Sequence, residues 1–360
     1  MRRLIRPLMN PVARVVVGAG VSAVFVVLFL RHTDFGQVAA AFRRADVPLI
    51  LLGIVAYFAG VWFRAVRWHY LLVPVKVIPS RQLFPLMAIG YATNNLTPAR
   101  TGEVVRIYVF SRRFQVSQMA GLGSVAMQQL FDGLPLTIFL CIGVAAGLVG
   151  LQGMTDAGDV LAAAMGFLVV GVSVAFFFSY LIATHPEAAV ELVRGQILRR
   201  VPGLRSGDGG ALSAFAQGLG ALRSRRLVIA ATWTSLLAWG FEALMYFLVG
   251  EGFGLDQPFP VYLLIAAAAN LIIAAPSTSG GVGPFEWATK SVLLIFLGHN
   301  SGNEEVAIAY AASLHGLILV PITIVGLIFL WLYHVPVARI ARGRSFSPLD
   351  ADVSQEPRPR

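Results

Sequence analysis

Asn95-Leu96-Thr97-Pro98-Ala99-Arg100-Thr101-Gly102-Glu103 closes one apolar run of the chain, and Pro276-Ser277-Thr278-Ser279-Gly280-Gly281-Val282-Gly283-Pro284-Phe285-Glu286 interrupts another. Both set hydroxyl residues beside a proline, place glycine four residues after it (Gly102 after Pro98, Gly280 after Pro276), and then reach a glutamate. Proline lacks the backbone donor and its ring crowds the preceding turn, so neither stretch continues as a plain helix. What the breaks mean depends on what surrounds them.

They lie in a chain of 360 residues that is 57% apolar and 13% charged, with a mean hydropathy of +0.74. A water-facing surface needs about 25% charged residues, which excludes an ordinary soluble globular protein. Uncharged or nearly uncharged stretches fall at 15–30, 47–63, 82–99, 114–155, 160–184, 227–250, 257–285 and 306–333. Lipid offers no partner to backbone polar groups, and segments of about 20 apolar residues satisfy theirs as helices. The predicted fold class is therefore all-α, a polytopic integral membrane protein. Two stretches need a less regular explanation: 114–155 is too long for one simple crossing, and 82–99 is short and ends in Pro98.

The net charge of +10 comes from basic residues between the apolar runs, not from a separate polar module. They read as topology signals beside anionic lipid, and no nucleic-acid partner is expected. A single cysteine, Cys141, excludes an intrachain disulfide and a cysteine-based metal cluster. Arg2, Arg3, Arg6 and Arg14 precede the run 15–30 as in a signal peptide, but that run is long and Arg31-His32-Thr33 follows where small residues would mark cleavage. A retained first helix is expected.

Short cytoplasmic loops are enriched in Arg and Lys, which assigns sides. The N-terminus is inside, and the clusters Arg64, Arg67, Lys76, Arg81 and Arg100, Arg106, Arg112, Arg113 fall on that same side. Only the run 82–99 separates them, so it is predicted to enter the membrane and return. Asp156 and Asp159 mark an outside joint, and the seven arginines between 194 and 226 an inside one. Glu251, Asp256, Glu304 and Glu305 are outside again, so the broken run between them is a second re-entrant arm from the opposite face. Arg31, Arg43 and Arg44 run against the rule. The C-terminal tail is inside. Two interrupted segments of opposite orientation predict an inverted repeat, the best sequence pointer to a transporter's substrate site.

The expected organisation is one transmembrane domain over 1–343, with a first half at about 47–184, a cytoplasmic connector at about 185–226 and a second half at about 227–333. A disordered tail is expected at 344–360. Segment 187–222 carries apolar spacing between its arginines and is predicted to lie on the inner surface as an amphipathic helix, interrupted near Pro202 to Gly210.

The two broken segments resemble the lysylphosphatidylglycerol synthase transmembrane family, also called the flippase-like domain family. The resemblance rests on Thr97-Pro98-Ala99-Arg100-Thr101-Gly102-Glu103-Val104-Val105-Arg106 and on Pro276 to Glu286, and covers roughly residues 10–335. The family's Glu-Arg-x-x-Asp element is replaced here by Gln128-Gln129-Leu130-Phe131-Asp132, which keeps only the aspartate. The resemblance implies a polytopic domain that moves lipids between leaflets, in some members fused to a soluble aminoacyl transferase. The short tail after the last helix leaves no room for one, so a stand-alone member is expected.

Charges in apolar context cost about 2.5–3.5 kcal/mol each on insertion scales, which makes them functional candidates. Arg100 and Arg106 flank Glu103 and suit either a buried ion-pair network or a phosphate, against interfacial snorkelling as the plain reading. Glu103 and Glu286, equivalent across the repeat, suit pairing with those arginines, proton acceptance or a cationic head group; a structural tie on a broken helix competes. Asp132 is expected to partner an arginine. Asn94, Asn95, Thr97, Ser277, Thr278, Ser279, Gly280, Gly281 and Gly283 complete the candidate substrate-binding set, although helix-to-helix hydrogen bonding also explains the polar ones. Glu242 is expected near an interface or in a structural pair, and His315 in the core. Arg64 and Arg67, with Trp62 and Trp68, read as an inside-face anchor with no substrate role.

No His-Glu-x-x-His, no phosphate loop ending in Gly-Lys-Ser/Thr and no Gly-x-Ser-x-Gly elbow occurs. The chain is thus expected to be no enzyme, and no metal or cofactor is expected. The predicted function is a membrane lipid translocase, flippase-like and working by alternating access, in a bacterial plasma (inner) membrane with both termini cytoplasmic. Its partners would be a membrane lipid substrate, envelope-lipid biosynthetic enzymes and a second copy of the chain. The rivals are a secondary transporter of a small anionic solute and a non-transporting scaffold for envelope-lipid enzymes. The lipid itself, the direction and the energy source are not legible.

Overall fold

The computed structural model describes residues 35–97, 101–150, 171, 174, 177–185, 209–274, 279–298 and 301–333. The expected first helix at 15–30, the joint at 151–159, most of 160–184, the connector to 208 and the tail from 334 lie outside the described residues. Among those described there are helices and turns and no strand.

A short helix α1 (Phe35–Arg44) precedes α2 (Val47–Leu72). Asp46 starts α2 by accepting the Leu49 amide at 3.3 Å, and a proline occupies its first turn, where its missing amide costs nothing. Then follow α3 (Ser80–Leu96), α4 (Gly102–Phe114) and α5 (Gln118–Gly150). The connector carries α6 (Gly209–Gly218) and a 3-10 turn (Gly220–Arg223), and after these lie α7 (Arg225–Gly252), α8 (Phe259–Ala274), a 3-10 turn (Ser279–Gly281), α9 (Pro284–Leu297) and α10 (Ser301–Leu332).

Four of these, α2, most of α5, α7 and most of α10, are long and apolar enough to cross a bilayer. Leu51, Leu52 and Val55 of α2, Trp233 of α7, and Ile324, Ile328 and Trp331 of α10 are exposed, as suits helices whose outer faces meet lipid. In the stretch 114–155, too long for one simple crossing, Phe114 ends α4 and Gln118–Gly150 is one helix of 33 residues that carries Pro135 inside it. At 1.5 Å per residue it is about 50 Å long, well beyond a hydrocarbon core of about 30 Å. By contrast α3 and α8, of 17 and 16 residues, are about 25 Å long and stop where the two proline-bearing stretches begin.

Two runs of four helices share a pattern. The helices α2 to α5 have 26, 17, 13 and 33 residues, and α7 to α10 have 28, 16, 14 and 32. Packing between the runs is reciprocal: α2 lies along α7, α3 against α10, and α8 against α5. Gly143 of α5 and Gly326 of α10 hold the same position counted from the start of their helices. A Cβ on Gly143 would come within 2.5 Å of Leu264 in α8, and one on Gly326 within 2.3 Å of the Ala88 carbonyl oxygen in α3. Small residues allow this close approach, which is how helices associate where burial from water cannot drive them together.

The segment predicted to lie on the inner surface packs against the helix bundle over its described part. Helix α6 packs on α5, and Ala216, Leu219, Ala221 and Leu222 are buried with Met127 and Phe131. Apolar spacing marks a face to be buried but does not say whether lipid or protein buries it.

Candidate functional site

The last turn of α3 carries Thr93, Asn94 and Asn95 after the largely apolar stretch Leu83–Ala92. Asn94 ties it to α4: its Oδ1 accepts the Gly102 amide at 2.7 Å and its Nδ2 donates to Glu103 Oε1 at 3.2 Å. An amide at a helix start has no partner within its own helix, so the asparagine serves as its cap. A Cβ on Gly102 would sit 2.0 Å from the Gly90 carbonyl oxygen, so only glycine lets α4 start this close to α3. Thr97 donates to the Thr93 carbonyl oxygen at 2.6 Å and shares a hydrogen bond with Thr101. Asn95 reaches across to Thr323 of α10 at 2.9 Å.

The second break is built differently. Gly280, Gly281 and Gly283 have φ of 67°, 73° and 94°, in the region that favours glycine. Glu286 Oε2 accepts the Gly283 amide at 2.7 Å, and its Oε1 lies 2.6 Å from His315 Nδ1. The Nε2 of His315 donates to the Gly280 carbonyl oxygen at 2.9 Å, and its ring stacks on Phe285. The Ser279–Gly281 turn packs on α3, and a Cβ on Gly280 would be 3.7 Å from the Asn95 carbonyl oxygen. The two broken stretches therefore meet.

Behind that meeting point lies a cavity of about 360 Å³. Of the candidate residues, Asn94, Asn95, Glu103, Arg106, Asp132, Gly280 and Gly281 line it. Thr97, Gly283 and Glu286 stand in the breaks around it. Arg100, Ser277 and Thr278 lie outside the described residues, as does the side chain of Ser279.

Arg64 and Arg67 overturn their reading as an interfacial anchor. Both are buried and line the cavity. Arg64 is ion-paired with Glu242 of α7, stands over the Trp239 ring at 4.8 Å, and sits at the same position in α2 as Glu242 does in α7. Arg67 makes a two-pronged pair with Asp132 at 2.7 and 3.0 Å and donates to Ser235 at 3.0 Å. Trp239 adds a hydrogen bond to Asp132 at 2.6 Å. Buried pairs repay their desolvation only with such geometry and extra donors. Both acids and both arginines sit in apolar segments and each needed a partner. That was the available signal, and the position of the arginines beside two tryptophans hid it.

Arg106 differs. It makes no ion pair with Glu103, whose carboxylate is turned to Asn94. Its Nη1 donates to Met87 Sδ at 2.8 Å and to Gln128 Oε1 at 3.3 Å, and its guanidinium lies 4.9 Å from the Trp68 ring centre. A cation over an aromatic ring gains about 2 kcal/mol when desolvated, against a burial penalty of several. Gln128, Glu242, Asn270 and His315 are further cavity residues not singled out as substrate contacts from the sequence. No group of three His, Cys, Asp or Glu able to hold a metal occurs among the described residues.

The profile described as lysylphosphatidylglycerol synthase TM region matches residues 15–326. The chain belongs to this family. As a family member with spanning helices it is an integral membrane protein. It is 26% identical over 286 residues to a UPF0104 membrane protein of Methanothermobacter thermautotrophicus, covering 76% of this chain and 82% of that one. It is 23% identical to UPF0104 membrane protein PH1989 of Pyrococcus horikoshii, over 78% of this chain and 85% of the other. A match of 25% to Glycosyltransferase AglD of Haloferax volcanii covers 89% of this chain but 54% of that protein. No solved structure matches.

Proposed function

We propose that this lysylphosphatidylglycerol synthase TM-region protein is a lipid translocase, with no enzymatic step of its own, whose cavity receives a polar head group while the tails stay in lipid. The observation that carries the reading is a charged, hydrogen-bonding cavity at the meeting of two broken helical stretches inside an apolar bundle. Moving a bare charged head group through hydrocarbon costs tens of kcal/mol by Born estimates, and a shielded polar pocket removes most of that cost. Non-helical backbone at membrane depth is tolerated where it lines such a cavity. At about 360 Å³ the space suits a head group and not a whole lipid.

The two runs α2–α5 and α7–α10 act in this reading as inverted repeats, each with a re-entrant arm formed by its two short helices. Their matched lengths and reciprocal packing support it, as does the opposite charge pattern of their flanking joints. Rocking of one repeat against the other about the Arg64–Glu242 contact would expose the cavity alternately to each side. The protein would sit in a bacterial inner membrane with both termini cytoplasmic, alone or beside envelope-lipid enzymes.

The test is transfer of head-group-labelled lipid between leaflets of proteoliposomes. Wild type is expected well above empty vesicles, and Glu103→Ala with Asn94→Ala at least tenfold slower. Equal rates in wild-type, variant and empty vesicles would refute the reading. Uptake of a soluble anion with no lipid movement would favour the solute transporter instead.

A further inference from the structure

We propose that Arg106 and Gln128, backed by Arg67, form a seat for a phosphoryl group. The inference names the chemistry that the proposed cavity recognises, and its lipid-borne form rests on the translocase reading.

Three cavity-lining residues each carry a buried donor without a hydrogen-bond partner among the described residues: Arg67 Nε, Arg106 Nε and Gln128 Nε2. The residues that carry them are 1%, 6% and 3% exposed. All three line the cavity, and Arg106 and Gln128 already touch through Gln128 Oε1 at 3.3 Å. Buried donors are normally satisfied, so a cluster of them marks where an acceptor is missing.

Charge points the same way. Arg64 and Arg67 are neutralised by Glu242 and Asp132. Arg106 has no carboxylate within 4 Å among the described residues; its contacts are a thioether, a neutral amide oxygen and a ring face. None of these cancels a positive charge held out of water. Glu103 lies one turn away on the same helix, committed to Asn94. The missing partner is therefore an acceptor-rich anion. Donors on three separate side chains suit the tetrahedral oxygens of a phosphoryl group, whereas a carboxylate presents two oxygens in one plane. Gln128 matters as much as the arginine, because a glutamate there would supply the counter-charge from within and close the seat.

The test is equilibrium binding to the purified full-length chain in uncharged detergent, with dihexanoyl phosphatidate as probe and inorganic phosphate, dihexanoylglycerol and hexanoate as competitors. No leaflet transfer is needed, so a failed transfer assay leaves this result standing and a failed binding assay leaves the transfer result standing. Saturable phosphatidate binding is expected. It should weaken at least tenfold in Gln128→Glu and Arg106→Gln, and dihexanoylglycerol should not compete. Competition by inorganic phosphate as strong as by phosphatidate would make the ligand a free anion; weak competition would make it lipid-borne. Both support the seat. Unchanged affinity in Gln128→Glu, or equal competition by hexanoate, overturns it. The comparison of phosphatidate with dihexanoylglycerol and hexanoate on wild type decides the matter even where a variant fails to fold.

Discussion

Asp132→Asn should destabilise the chain by about 3 kcal/mol. Arg67 is 1% exposed and places both terminal nitrogens on the Asp132 carboxylate, at 2.7 and 3.0 Å. Neutralising the acid leaves a guanidinium inside the bundle with no counter-charge and only neutral acceptors, the asparagine oxygen and Ser235. Removing one partner of a buried pair costs about 3–5 kcal/mol, mostly through the stranded charge. The Asp132 side chain is 20% exposed to the cavity, which puts the figure at the lower end. If stranded charge is the cause, removing it as well should restore stability. Arg67→Met with Asp132→Asn is then expected within about 1 kcal/mol of wild type, since the asparagine oxygen still accepts from Trp239. The assay is reversible unfolding of the purified protein in mixed micelles by titrated SDS, run as a double-mutant cycle. A single-mutant cost below about 1 kcal/mol, or a double mutant destabilised by the sum of the two singles, would refute the pair as drawn.

Two further outcomes follow from the breaks. The Gly280 carbonyl can only accept, so His315 Nε2 carries a hydrogen, and the contact from Nδ1 to Glu286 needs one more shared proton. Glu286→Gln supplies that hydrogen from its own amide and should stay within about 1 kcal/mol of wild type in the same unfolding assay, whereas Glu286→Leu strands a ring nitrogen and the Gly283 amide and should cost about 2–3 kcal/mol. Equal effects of the two would remove the shared proton from the account. In a Cys141→Ala background, cysteines at Thr97 and Ser279, placed in breaks that meet at one cavity, should both react with an impermeant thiol reagent added to either side of the membrane; reaction from one side alone would end the alternating-access reading.

The breaks were legible because proline and clustered glycine act locally: each forbids a regular helix at its own position whatever the rest of the chain does. Asp132 was legible as an ion-pair member because an isolated acid in an apolar helix must find a partner. The identity of that partner was not. Arg67 is 65 residues away in the chain, and beside Trp62 and Trp68 it looks the same in sequence as a residue at the membrane surface. Nor did the pattern say that Arg106 would turn away from Glu103. The two share one helix face, but Asn94 competes for the carboxylate, and Gln128 and Met87 take the guanidinium.

By itself, the amino-acid sequence determined that this chain is a helical membrane protein with two interruptions, since hydropathy, proline and glycine bear on each segment separately. The tertiary structure alone decided which charges meet. Pairing depends on helix rotation and crossing, set where Gly60, Gly143 and Gly326 let neighbouring backbones close together, and those contacts join residues that no local pattern relates.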